Sequence, residues 1–162
     1  MQNLPGHENG LYHLDIFKSL LAHQVNISRR YGDSLTLVNL FVEVDPAHPE
    51  TLNDAELFVM NRLRLDLRDA DVPSKQDHEF LILMPSTGAP EARTACERLK
   101  KKIAADDMGA ALHLTLFIGM ASLPAHDAIT SEECSQNAAR ALQYARANRL
   151  TNVVAFSDVI KT

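Results

Sequence analysis

The chain has 162 residues, 46 % hydrophobic and 23 % charged, which describes a single globular domain and argues against intrinsic disorder. A formal net charge of −5 excludes broad, sequence-independent binding to DNA or RNA, which needs a basic face. Two cysteines, Cys96 and Cys134, are too few for a disulfide scaffold and fit a reducing compartment, and no apolar run is long enough to span a membrane.

Met1 to Asn9 is polar and carries Pro5 and Gly6, which reads as a leader or linker, leaving residues 10–162 as the domain. Phe17, Leu20, Leu21 and Val25 recur at helical spacing and predict a helix over Leu14 to Arg30, ended by Gly32-Asp33. Leu35 to Val44 is rich in β-branched and large apolar residues and predicts a strand covered on both faces. Pro46 and Pro49 mark a loop, after which Asn53 or Asp54 is placed to cap a helix from Ala55 to about Leu67. Phe80 to Met84 is a short apolar run stopped by Pro85, the pattern of a buried central strand.

Ala89 to Ala105 predicts a helix with Ala92, Cys96, Leu99 and Ile103 inward. Ala111 to Ala121 alternates as a strand, with Leu112, Leu114, Leu116 and Ile118 on one face. Ser131 to Asn148 predicts a helix with Ala138, Leu142 and Ala145 inward, and Val153 to Phe156 a last strand. The alternation of helices and strands predicts an α/β (α+β) fold with one central sheet of about five strands flanked by helices.

No Gly-rich phosphate loop, C-x-x-C or pair of histidines four residues apart is present, so a zinc site has no support. The histidines, among them His113 and His126, read as surface or strand-edge residues, and both cysteines as core. Three polar clusters remain. Glu43 and Asp45 close the Leu35–Val44 strand, where carboxylates can hold Mg²⁺ or simply meet water. Gln76-Asp77-His78-Glu79 forms a polar turn leading into the Phe80 strand. Arg68-Asp69-Ala70-Asp71, with Arg98 further on, offers guanidinium forks suited to guanine and phosphate, or a solvated helix end.

Taken in order, these segments resemble the GGDEF family, the diguanylate cyclases of bacterial second-messenger signalling. Gly10-Leu11 with Phe17 resembles the opening G-L-x-N-R-x-x-F. Gln76-Asp77-His78-Glu79-Phe80, running into Leu81-Ile82-Leu83-Met84-Pro85, resembles the signature hairpin and its strand. Cys96-Glu97-Arg98-Leu99 resembles A-E-R-L, and Ile118-Gly119-Met120-Ala121 resembles S-x-G-I-A. Ala141-Leu142-Gln143-Tyr144-Ala145-Arg146 and Arg149 to Val153 resemble the closing helix and strand. The resemblance implies a nucleotidyl-cyclase palm with a ferredoxin-like core.

Against that pattern the signature is degenerate. Gln76 and Asp77 stand where glycines admit phosphates, and His78 stands at a metal-binding acid, leaving Glu43 and Asp45 as vestigial metal positions. Pro46-Ala47-His48-Pro49 replaces the nucleotide-binding segment. The resemblance therefore implies no diguanylate cyclase activity, no metal and no other cofactor. It also implies that Arg68, Asp71 and Arg98 retain the R-x-x-D product-inhibition site. The expected function is a cyclic di-GMP receptor in which Asp71 accepts from guanine and the ligand can bridge two copies. The alternative is a ligand-free interaction or dimerisation module. The resemblance further implies a cytoplasmic output module beside other domains of a larger signalling protein, in processes such as biofilm formation, motility or exopolysaccharide export.

Overall fold

The computed structural model describes residues 7–8, 10–125 and 129–160. His126 and most of the Met1–Asn9 segment lie outside the described residues. Two-residue strands β1 (His7–Glu8) and β2 (Leu11–Tyr12) open the chain, followed by helix α1 (Leu14–Tyr31). The helix ends where Gly32 takes φ 74 and donates its N–H to Ser28, a left-handed cap that costs glycine little. Strand β3 (Leu35–Glu43) and helix α2 (Leu52–Asp66) follow, then the hairpin strands β4 (Val72–Gln76) and β5 (Glu79–Pro85). Helix α3 (Ala89–Ala105), the short helix α4 (Asp107–Leu112), strand β6 (Thr115–Leu123), helix α5 (Ser131–Ala147), strand β7 (Val154–Ala155) and helix α6 (Phe156–Val159) complete it.

The strands form one seven-stranded sheet in the order β1-β2-β4-β5-β3-β6-β7. Within it, β3-α2-β4-β5-α3-β6 makes a ferredoxin-like βαββαβ unit whose four strands run antiparallel. Because β3 lies between β5 and β6, with helices on both faces, its first six residues are all buried. Val38, Leu40 and Val42 face α2 and α3, packing with Val59, Leu63, Cys96 and Ile103. Leu35 and Leu37 face α1 and α5, packing with Phe17, Leu21 and Ala138. Each such fully buried aliphatic or aromatic side chain stabilises the fold by about 1.5–3 kcal/mol. Gly119 in β6 lets α5 approach closely, since a Cβ there would strike the backbone of Ala141 and Leu142. Among the described residues no helix is long and apolar enough to cross a membrane.

Several predicted elements are corrected. Neither Asn53 nor Asp54 caps α2; Pro49 starts a 3₁₀ turn (Pro49–Thr51) that runs directly into the helix, with Thr51 at the cap position. The strand predicted from Ala111 begins at Thr115, because the Asp106 side chain accepts from the Met108 N–H and starts α4 instead. Phe156 belongs to α6 rather than to the last strand. Helix α5 is opened by Thr130, which forms a capping box with Glu133. Strand β4 has no apolar alternation to reveal it; it forms by pairing with β5 from Val72↔Leu83 to Gln76↔Glu79.

Candidate functional site

Helix α2 ends as the Leu67 N–H bonds the Leu63 carbonyl, and the next four residues turn the chain into β4. The turn is closed twice. The Asp71 N–H donates to the Arg68 carbonyl at 3.0 Å, and the Arg68 N–H donates to Asp71 Oδ2 at 3.0 Å. Arg68 then folds its guanidinium back: Nη2 donates to Asp71 Oδ1 at 2.8 Å and Nε to Oδ2 at 3.3 Å. Nη2 also reaches Thr87 Oγ1 at 2.6 Å and the Pro85 carbonyl at 3.2 Å. Thr87 is itself held, because Thr36 Oγ1 donates to its carbonyl. The Asp71 side chain is 4 % exposed and that of Arg68 is 55 % exposed, so a buried carboxylate orients a cation at the surface. Its bonds to Asp71 push the Arg68 guanidinium further above its ordinary range, keeping it charged.

This fork stands at the rim of a cavity of about 350 Å³ between the end of α2, the β5–α3 loop and α3. Leu40, Ile82 and Met84 form its apolar floor, and Arg98 of α3 also lines it. Arg98 is exposed, and its guanidinium makes no hydrogen bond or ion pair with the described residues. Arg68, Asp71 and Arg98 therefore line one cavity, although 27 residues separate Asp71 from Arg98. Thr87, Arg68's second anchor, carries no sequence signal; only the return of β5 beside the turn brings it there.

The other predicted residues lie elsewhere. Asp77 and His78 join β4 to β5, and Asp77 takes φ 54, a left-handed turn position that favours glycine. His78 Nδ1 lies 2.9 Å from Glu56 Oε2, and Lys75 Nζ donates to Glu56 Oε1 at 3.0 Å, so a buried α2 glutamate ties down the hairpin. Phe80 is core, 1 % exposed. Gln76 and Glu79 point to the α1–α5 side, where they border a separate cavity with Asp77.

At the end of β3, Glu43 accepts a two-pronged bond from Arg149, with Nη1 to Oε2 at 2.9 Å and Nη2 to Oε1 at 2.8 Å. This bond holds the Glu43 carboxyl below the usual glutamate range. Arg149 also covers the Phe117 ring, and Arg146 lies 3.7 Å over the Phe41 ring. Asp45 turns away, its Oδ1 accepting the Ala47 N–H at 2.9 Å. Among the described residues no three His, Cys, Asp or Glu side chains gather in a way that could hold a metal ion.

No family model matches the chain, and no curated protein matches it. Solved structures do. The GGDEF domain of YfiN (TpbB) from Pseudomonas aeruginosa is 18 % identical over 91 % of this chain and 98 % of that one, with a TM-score of 0.77. The GGDEF domain of DgcB from Caulobacter crescentus, solved in complex with c-di-GMP, is 14 % identical over 97 % and 99 %, with a TM-score of 0.78. The active GGEEF domain of a diguanylate cyclase from Vibrio cholerae is 15 % identical over 88 % and 95 %, with a TM-score of 0.75. The architecture of this chain, from α1 through the central hairpin to α5, is the fold of the GGDEF domains.

Proposed function

We propose that this domain is a cyclic di-GMP receptor that does not itself make the dinucleotide. The observation that carries the reading is the Arg68 guanidinium, anchored by Asp71 and Thr87, lining the same cavity as the unpaired Arg98 side chain. Cyclic di-GMP presents guanine O6/N7 edges and phosphate oxygens, both of which accept from planar guanidinium forks. Arg68 is already oriented, so less side-chain entropy is lost when it binds. Asp71, with both oxygens taken by Arg68, acts here as the residue that positions the fork. The complex of the DgcB domain with c-di-GMP supports this choice of ligand for a domain of the same fold.

The absence of cyclase activity is supported by the other end of the sheet. A divalent ion between β3 and the hairpin would need free carboxylates. Glu43 is engaged by Arg149, Asp45 by its own turn and His78 by Glu56, so the hairpin carboxylates of Asp77 and Glu79 meet no free carboxylate on β3. These residues do not fit the metal that the family resemblance places at this end of the sheet.

Calorimetric titration of the domain with cyclic di-GMP tests the reading. Arg68→Ala and Arg98→Ala should each weaken binding by about 2–3 kcal/mol, roughly 30- to 150-fold. Binding should also weaken as salt rises. Absence of binding, or binding that survives both substitutions, refutes the site. Steady product from GTP with Mg²⁺ or Mn²⁺, lost in Glu43→Ala, refutes the inactive assignment.

A further inference from the structure

Among the described residues three carboxylates line the cavity that holds Arg68 and Arg98, and two of them are already engaged. Both oxygens of Asp71 accept from Arg68. Lys102 Nζ donates to Asp66 Oδ1 at 3.1 Å, and Arg62 Nη2 lies 3.1 Å from Asp66 Oδ2, with the Asp66 side chain only 12 % exposed. The third carboxylate is Glu91, in the first turn of α3. Glu91 is exposed and makes no hydrogen bond or ion pair with the described residues. Its carboxylate bends over the β5–α3 loop, where a Cβ added at Gly88 would come within 2.9 Å of Glu91 Oε2. Gly88 follows Thr87, the anchor of Arg68, so the free carboxylate stands on the Arg68 side of the cavity.

Glu91 and Arg98 fall seven residues apart on one face of α3, and both line the cavity. Seven residues advance a helix by about 10.5 Å. That separation suits a purine held between the two side chains, with a hydrogen bond of about 2.9 Å on each side. Guanine offers different chemistry on two edges: O6 and N7 accept, whereas N1–H and the N2 amino group donate. A guanidinium matches the first edge and a carboxylate, which only accepts, matches the second. Adenine has a lone pair at N1 and no amino group at C2, so it would set an acceptor against the carboxylate. Arg68 spends Nε and Nη2 on Asp71, Thr87 and the Pro85 carbonyl, which leaves Nη1 for a neighbouring phosphate.

We infer that Glu91 is the residue by which this domain selects guanine. Its carboxylate accepts from N1–H and the N2 amino group, while Arg98 donates to O6 and N7. This role for Glu91 rests on the receptor reading and adds base selection to it; Asp71 holds Arg68, and the reading of the base passes to α3.

The test is calorimetric titration with cyclic di-GMP and with cyclic di-IMP, whose hypoxanthine bases keep O6, N7 and N1–H and lack only the N2 amino group. The wild type should bind cyclic di-GMP about tenfold or more tightly than cyclic di-IMP, the effect of one charge-assisted hydrogen bond. Glu91→Ala should weaken cyclic di-GMP by about tenfold or more and bring the two ligands within about twofold of each other. Arg98→Ala should weaken both ligands alike and keep the preference, because O6 and N7 are common to them. Glu91 is exposed, and far-UV circular dichroism of the variant will establish that it folds. A wild type that binds both ligands equally, or a preference that survives Glu91→Ala, overturns the role of Glu91 and leaves the receptor reading standing. A wild type that binds neither ligand overturns the receptor reading and the role of Glu91 with it.

Discussion

Truncating the two ends of the Arg68–Asp71 pair should destabilise the fold unequally, and the direction follows from burial. Arg68→Ala strands a carboxylate that is 4 % exposed, leaving it one bond, from the backbone N–H of residue 68. Two charge-assisted bonds are lost, each worth about 1.5–3 kcal/mol, but water can enter where the half-exposed guanidinium stood. The expected loss is about 2–3 kcal/mol, below the 3–5 kcal/mol range for a fully buried pair. Asp71→Ala frees a guanidinium that is 55 % exposed, returns to water and keeps Thr87 and the Pro85 carbonyl. The lost turn bond should then cost about 1–1.5 kcal/mol. Urea unfolding at neutral pH, followed by far-UV circular dichroism, measures both. With the double variant it closes a cycle whose coupling energy should be about 1 kcal/mol or more. Equal losses, or both below about 0.5 kcal/mol, would show that the pair behaves as an ordinary surface ion pair and that Asp71 does not position Arg68.

Three other outcomes are expected. Gly119→Ala should destabilise by about 3 kcal/mol or more, lowering Tm by roughly 6–12 °C, because the added Cβ meets α5 backbone at Ala141 and Leu142 and no side chain can give way; differential scanning calorimetry reads it. Burial pushes the Cys96 thiol up to about 12 and the Cys134 thiol up to about 11, so both should resist Ellman's reagent at mildly alkaline pH until urea unfolds the domain. Arg149 depresses the folded-state value of Glu43, so the pair's stabilisation is present above the ordinary glutamate range and is lost as pH falls through the folded value. Arg149→Ala should accordingly be less stable than the wild type at neutral pH and converge with it as pH falls through the folded Glu43 value, so its acid-unfolding profile lacks that part of the wild-type slope.

The elements legible in the sequence are those whose burial is written as a local period. Phe17, Leu21 and Val25 announce α1, the unbroken run Phe80–Met84 announces β5, and Ala92, Cys96, Leu99 and Ile103 announce α3; each lies where the spacing put it. The order of these segments along the chain also points to the GGDEF fold. Strand β4 was hidden because Val72-Pro73-Ser74-Lys75-Gln76 has no alternating apolar face and is a strand only by pairing with β5. Helix α4 was hidden by Leu112 and Leu114, which continue the β6 alternation until the Asp106 cap overrides it. At the sites the division is the same. The residue types Arg68, Asp71 and Arg98 are visible in the chain, but Asp71's burial, Thr87 as second anchor and the capture of Glu43 by Arg149 are not. Those contacts join residues 19 and 106 apart, and no local period records them. Only closure of the βαββαβ unit and the docking of α5 bring such groups together, and burial then decides which charges are tied up and which remain free to meet a ligand.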